Sequence, residues 1–110
     1  MIRGGFVRLQ TSDLDRALRF YIETLGMKLV EQAAGAAVLD AGDGFHLRLE
    51  AGAGGAPTAI TFLVKVPLAE ATSIYENRGV VFDAGARFRD PDGNLLELAS
   101  PRDREGDLGK

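Results

Sequence analysis

Few side chains in this chain could do chemistry, and Glu97 is the most unusual of them. It lies in the stretch FRDPDGNLLELAS (88–100), where a DPDG turn precedes what reads as an apolar strand. Leucines flank Glu97 on both sides, and carboxylates are rarely buried without a partner. Glu97 is therefore a candidate for an ion pair or for a functional role.

Other forms of catalysis find little support. The chain has a single histidine, His46, and no cysteine, which excludes disulfides, thiolate catalysis and zinc–thiolate sites. No serine or threonine has that histidine at a spacing that indicates activation. The GAGG run lacks a phosphate-binding helix start behind it, and DPDG lacks the alternating acids of a calcium loop.

Composition places the chain among ordinary globular domains. Its 110 residues suffice for one compact domain, 1–110, with 45% hydrophobic and 26% charged residues. The net charge is -3 and no basic face is visible, so no nucleic-acid partner is predicted. No apolar run reaches membrane-spanning length and no signal peptide is recognisable, so we expect a cytoplasmic protein with no membrane partner.

The first half contains the clearest pattern. SDLDRALRFYIETLG (12–26) has an apolar stripe at helical spacing, Ser12 with Asp15 resembles a capping box, and Gly26 suits the helix end. Two segments alternate as strands do. GGFVRLQT places on one side Phe6, Arg8 and Gln10, and DGFHLRLE places on one side His46, Arg48 and Glu50.

The second half repeats this order. TAITFLVKV reads as a strand, PLAEATSIYENRG as a helix, VVFDAGARFRD as two abbreviated strands, and DGNLLELAS as the last strand. The predicted modules are 4–50 and 58–100, with a linker at 51–57 and a frayed tail at 101–110. Because each module is too small to bury a good core alone, the two should share one sheet. In the repeat, Arg48 aligns with Glu97.

This arrangement resembles the vicinal oxygen chelate superfamily, which includes glyoxalase I, bleomycin-resistance proteins and extradiol dioxygenases. The resemblance rests on the strand leading into SDLDRALRFYIETLGMKLV and on the ending FRDPDGNLLELAS. It implies an α+β fold in which two βαβββ modules form a curved mixed sheet. Helices would cover the convex side, a concave cup would hold the ligand, and a homodimer would be common.

The resemblance also implies where a metal would bind. Carried over to this chain, the ligand positions of metal-dependent members are Phe6, Arg48, Ile60 and Glu97. Only Glu97 can ligate a metal, so no metal and no cofactor are predicted, and glyoxalase I activity is disfavoured. A rearranged metal site of His46, Glu50 and Glu97 is the alternative, although Arg48 would lie in its midst.

The cup implied by the resemblance gives the predicted ligand-binding residues: Phe6, Arg8, Gln10, His46, Arg48, Phe62 and Glu97. Apolar floor and fixed donors together suit a small, partly aromatic molecule with an anionic or carbonyl group. Arg48 and Glu97 have no other obvious partner, so they either pair across the cup or are both solvated.

Three functions follow as hypotheses. The first is a metal-free binding protein that sequesters a small organic ligand as a homodimer. The alternative is an enzyme of the same superfamily, a lyase, isomerase or dioxygenase, with a displaced metal or with Glu97 as general base. A third is a module for assembly with another protein. The dimer is expected because the short segment 80–87, with Val81 and Phe82, should leave strand edges and apolar surface uncovered.

Overall fold

The computed structural model describes residues 1–2, 4–52 and 57–100. They belong to two compact units that divide between Pro57 and Thr58, and each unit combines helical segments with a mixed sheet. The fold is α+β, as predicted. The predicted frayed tail (101–110) and most of the predicted linker (53–56) lie outside the described residues. No described helix has the length and apolar character needed to cross a membrane.

Unit 1 contains four strands and one helical segment. The elements are β1 (Gly5–Thr11), α1 (Leu14–Leu18), a π-helical continuation of α1 (Arg19–Thr24), β2 (Lys28–Ala33), β3 (Ala36–Gly42) and β4 (Phe45–Ala51). The sheet order is β1-β4-β3-β2, with β1 parallel to β4 and the other pairs antiparallel. This is the βαβββ order that the sequence predicts for the first module.

The first helix begins one residue later than the capping-box pattern suggests. Its N-cap is Asp13, whose side chain accepts a hydrogen bond from the backbone N–H of Arg16 at 3.1 Å, so the prediction of Ser12 as cap is wrong. The last turns widen, because the N–H of Leu25 donates to the carbonyl of Phe20, five residues earlier.

One face of the unit 1 sheet forms its core. Leucines of three strands are 2% exposed or less, namely Leu9, Leu39, Leu47 and Leu49. The helical segment contacts β4 and buries Ala17 and Tyr21 completely or nearly so. Because side chains alternate along a strand, the residues between these leucines lie on the opposite face. That open face carries the candidate site.

Unit 2 is shorter. Its elements are β5 (Ala59–Leu63), α2 (Leu68–Asn77), β6 (Arg87–Arg89) and β7 (Leu95–Ala99). The sheet order is β5-β7-β6, with β5 parallel to β7 and β6 antiparallel to it. The helix α2 contacts β7 and buries Ala71. In both units, therefore, the first strand pairs in parallel with the last.

One architectural prediction is wrong. Segment 80–90 contains one strand, β6, and not two, so the described part of unit 2 has the order βαββ. A turn replaces the missing strand: the N–H of Asp83 donates to the carbonyl of Arg87 at 2.8 Å, and Phe82 packs edge-on against Phe88. The described strand pairs lie within each unit, where the first strand pairs with the last, and one sheet shared by both modules stays a prediction.

The DPDG segment is a turn, as predicted, and hydrogen bonds to a buried carboxylate stabilise it. Asp90 is buried, and its carboxylate accepts hydrogen bonds from the backbone N–H groups of Asp92 and Asn94 and from the Asn94 side-chain amide. The amide oxygen of buried Asn94 accepts in turn from the N–H of Thr58 at 2.7 Å. This network joins the start of β5 to the start of β7 and so places Glu97.

Candidate functional site

The open face of the unit 1 sheet carries most of the predicted ligand-binding residues. Parallel pairing of β1 with β4 places three pairs side by side: Phe6 with His46, Arg8 with Arg48, and Gln10 with Glu50. All six are partly or largely exposed, whereas the leucines between them are buried. We call these six residues the polar face of unit 1. Alternation along β1 and β4 predicts their shared face, and their role in binding stays a prediction.

Arg48 is neutralised by its neighbour on the same strand. Its Nε donates to Oε2 of Glu50 at 2.7 Å, and both side chains are about a third exposed (34% and 33%). Residues two apart on a strand point to the same face, which brings these two charges together. The pair is partly solvated, so its net contribution to stability is about 1 kcal/mol or less.

Arg8 has a different environment from Arg48. Its guanidinium carbon lies 5.6 Å from the centre of the Phe6 ring, a cation–π contact between residues two apart on β1. Within the described residues, no carboxylate forms an ion pair with Arg8. Phe6 itself is 49% exposed. Arg8 and Phe6 thus present a cation and an aromatic ring together on an accessible surface.

His46 is held by the turn that precedes β4. Its Nδ1 lies 3.0 Å from the carbonyl oxygen of Gly44. A carbonyl can only accept, so Nδ1 carries the proton in this contact and Nε2 of the neutral ring keeps a lone pair. In the neutral form of its ring, His46 therefore offers a hydrogen-bond acceptor beside Phe6.

Glu97 lies on the open face of the unit 2 sheet with partners on both neighbouring strands. Its Oε1 accepts a hydrogen bond from the hydroxyl of Thr61 on β5 at 3.2 Å. Its Oε2 lies 3.4 Å from Nε of Arg87 on β6, and the side chains of Arg87 and Glu97 are 56% and 36% exposed. We call these three residues the Glu97 cluster. The carboxylate is neither buried nor alone.

These contacts overturn one premise of the sequence reasoning. The sequence predicts no obvious partner for Arg48 and Glu97 other than each other. Each has an oppositely charged partner within its own unit: Glu50 for Arg48 and Arg87 for Glu97. The two charges are therefore already compensated locally.

The placement of Ile60 and Phe62 on the same face as Glu97 is also wrong. Ile60 pairs with Leu96, and Phe62 with Leu98, so both lie on the face of the buried leucines, while Thr61 pairs with Glu97. The cause is the number of residues between equivalent register positions and the start of the helix, which is one greater than in unit 1. Arg8, the neighbour of Arg48, precedes Leu14 by six residues, whereas Thr61 precedes Leu68 by seven. A shift of one residue moves every side chain of a strand to the other face.

Sequence reasoning did not include Thr61 and Arg87 among the site residues. The sequence of β5 alternates visibly, but alignment of the two helices predicts the wrong face for each of its side chains. The pairing of Arg87 with Glu97 is not predictable because the sequence of segment 80–90 predicts two strands instead of the single strand β6. The usable signal was Glu97 itself, since a carboxylate on a strand favours hydroxyl and basic residues on the strands beside it.

The residues present do not fit a transition-metal site. Phe6 has no lone pair, Arg48 is a permanent cation, and the residues available on β5 near Glu97 are Ala59, Ile60 and Thr61. Across the described part of the chain, no three His, Asp or Glu side chains are grouped so that they could hold a metal ion. The alternative of a rearranged site finds no support there, and Glu50 is already engaged by Arg48.

Comparison with known proteins identifies the family of this fold. Residues 4–98 match the model of the Glyoxalase/Bleomycin resistance protein/Dioxygenase superfamily. A search of curated proteins gives no significant match. Among solved structures, an integron cassette protein from the mobile metagenome of V. cholerae is similar, with 24% identity, a TM-score of 0.77, and coverage of 91% of this chain and 95% of that chain.

Two further structures have the same fold. Lactoylglutathione lyase from Agrobacterium tumefaciens is 22% identical, with a TM-score of 0.74 and coverage of 86% of this chain and 90% of that chain. A bleomycin resistance determinant encoded on the transposon Tn5 is 25% identical, with a TM-score of 0.72 and coverage of 90% and 98%. Fold is thus shared among proteins whose described activities differ.

Proposed function

Because the chain belongs to the Glyoxalase/Bleomycin resistance protein/Dioxygenase superfamily, we propose that it is a metal-free binding protein for a small organic molecule. One observation carries the proposal: at three of the four positions where metal-dependent members have ligands, the side chains cannot ligate a metal, and Glu97 alone can. Phe6 and Arg48 replace two of them. On β5 the position is apolar in either alignment, Ile60 by helix alignment and Ala59 by strand register.

The polar face of unit 1 supports binding of an organic molecule. Phe6 supplies exposed aromatic surface, Arg8 and Gln10 supply exposed donors, and His46 supplies an acceptor. Small-molecule sites typically combine apolar surface with a few fixed polar groups in this way. Sequestration of a ligand needs no further chemistry.

The alternative function, an enzyme with Glu97 as general base, is less well supported. A general base needs a lone pair directed at the substrate proton. Both oxygens of Glu97 face donors already, the Thr61 hydroxyl and the Arg87 guanidinium. This arrangement favours a structural role for the carboxylate.

We further propose that the protein acts as a homodimer. Val81 is 80% exposed in the segment that replaces the missing strand of unit 2, and a twofold contact would cover it. The predicted exposure of Phe82 and of open strand edges is corrected by the structure, because Phe82 is half-buried against Phe88 and the turn at 83–87 occupies backbone groups of Arg87. The homodimer proposal therefore rests on exposed apolar side chains such as Val81 and not on open strand edges.

A binding screen under chelation tests the proposed function. Protein kept in excess EDTA is screened by thermal shift and by NMR against a panel of neutral, cationic and anionic small organic compounds. We expect saturable binding by at least one class, since a ligand that binds the native state raises the melting temperature by mass action. Binding that appears only when zinc, nickel, manganese or iron is supplied contradicts the proposal.

A further inference from the structure

We propose that the ligand is an aromatic carboxylate, with its carboxylate bound by Arg8 and its ring packed against Phe6. This inference rests on the proposed function and specifies the ligand of the same face. It also assigns different roles to two neighbouring arginines: Arg8 binds the anion, and Arg48 does not.

The charge balance of the polar face distinguishes the two arginines. Arg8 and Arg48 are register partners on adjacent parallel strands, so two positive charges lie side by side. Like charges in directly opposite positions repel each other. Glu50 compensates Arg48 through a 2.7 Å contact, whereas no described carboxylate pairs with Arg8. Among the described residues, the uncompensated positive charge of this face is therefore at Arg8, where an anion would relieve the repulsion.

The geometry of Arg8 suits a carboxylate. A guanidinium has a planar fork of N–H donors that matches the two oxygens of a carboxylate. Contact with the Phe6 ring at 5.6 Å restricts the side chain on an exposed surface, which lowers the entropy that it loses on binding.

Phe6 accounts for the aromatic part of the ligand. About half of its surface is exposed, and it lies near the start of the edge strand β1, next to the partly buried His46. Aromatic rings pack edge-to-face or offset with centroids about 4.5–7 Å apart. A ligand whose carboxylate engages Arg8 can place its ring on the uncovered part of Phe6, because the two side chains are already in contact.

The test compares 2-naphthoate with its neutral analogue 2-naphthamide by calorimetric titration of the full chain in EDTA. We expect naphthoate to bind at least about tenfold more tightly, the factor typical of a charge-assisted hydrogen bond. In Arg8→Gln the two compounds should bind about equally. Arg19→Gln, an exposed arginine of the helical segment, removes the same charge and should keep the preference for naphthoate.

Two further variants isolate the fork and the ion pair. Arg8→Lys keeps the charge but loses the planar fork, so we expect an intermediate preference for naphthoate. The double variant Arg48→Gln with Glu50→Gln removes the neighbouring pair without a change in net charge. Whatever its effect on the affinity for either compound, the preference for naphthoate over naphthamide should persist because Arg8 remains. Phe6→Leu should lower the binding affinity for naphthoate and for naphthamide by similar factors. Circular dichroism confirms that each variant is folded.

The outcomes separate this inference from the proposed function. Equal binding of naphthoate and naphthamide by the parent protein, or an undiminished preference in Arg8→Gln, overturns the role of Arg8. Loss of the preference in the double variant of Arg48 and Glu50 would show that Arg8 alone does not bind the anion, and it also overturns the inference. If neither probe binds while other compounds of the EDTA panel do, the ligand class is wrong and the binding function stands. If the whole panel fails, the proposed function fails with it.

Discussion

At the scale of single residues, Glu97 illustrates how a charge on an apolar strand is accommodated. Leucines precede and follow it, but alternation directs them to the buried face and directs Glu97 to the open one. Thr61 and Arg87, from the strands on either side, then satisfy its two oxygens. The burial penalty that makes Glu97 conspicuous in the sequence is largely avoided.

This accommodation predicts a weak ion pair. In a double-mutant cycle with Arg87→Leu and Glu97→Leu, we expect a coupling free energy below about 1 kcal/mol, because both side chains are solvated. Denaturant melts of the parent, both single variants and the double variant measure it. A coupling of about 3 kcal/mol or more would show instead that the pair is shielded from water.

Residue environments could be predicted from the sequence only within a strand. Alternation correctly places Arg8 and Gln10 on one face of β1, and Arg48 and Glu50 on one face of β4. The partners of each charge could not be predicted in the same way, since Glu97 obtains both of them from other strands. Register between strands decides such neighbours, and short sequence patterns do not encode it strongly.

At the scale of elements, the connection from β5 to α2 determines which side chains of unit 2 face outward. Counted from equivalent register positions to the first helical residue (Thr61 to Leu68 against Arg8 to Leu14), it is one residue longer than in unit 1, so the repeat is offset in β5 although the helices align. The helices were predictable because apolar spacing and caps act locally. The phase of β5 was not, because it depends on pairing with β7, far along the chain.

The offset makes a stability prediction with a built-in control. Ile60→Ala should destabilise the protein by about 2 to 4 kcal/mol, because Ile60 is 8% exposed and packs on the face of the buried leucines. Thr61→Ala should cost less than about 1 kcal/mol, since it removes one hydrogen bond from a partly exposed carboxylate. Urea melts compare the two.

A larger loss of stability from Thr61→Ala than from Ile60→Ala would support the side-chain placement that helix alignment predicts. In that case Ile60 would be the outward residue and Thr61 the buried one. Similar losses from both substitutions would also contradict the described register of β5 with β7.

At the scale of the whole molecule, the order of the secondary-structure elements is the feature that indicates the family. A strand, a helix and further strands, repeated once, predict the α+β fold that the family model and the structural comparisons bear out. The detailed βαβββ order holds for unit 1 and not for unit 2, where the turn before β6 takes the place of a strand. Fold class is therefore more predictable here than strand count, because a short segment can satisfy its backbone groups in a turn as well as in a sheet.

The homodimer is a testable prediction at this scale. Light scattering at micromolar concentration should return the mass of two chains, and Val81→Glu should shift the equilibrium toward monomer, because it would bury a carboxylate in the contact. Ile74→Glu, on the exposed side of α2, is the matched control and should leave the mass unchanged. A monomer mass for the parent protein, or equal effects of the two substitutions, counts against this interface.

The metal content of the protein tests the central proposal most directly. The protein is incubated with excess zinc, nickel, manganese or iron, desalted, and analysed for metal per chain, with Glu97→Gln treated in parallel. We expect close to no retained metal in either protein, and a melting temperature that chelator does not change, because Phe6, Arg48 and the β5 residues supply no ligands. Retention of about one metal ion per chain by the parent protein, lost in Glu97→Gln, would contradict the account.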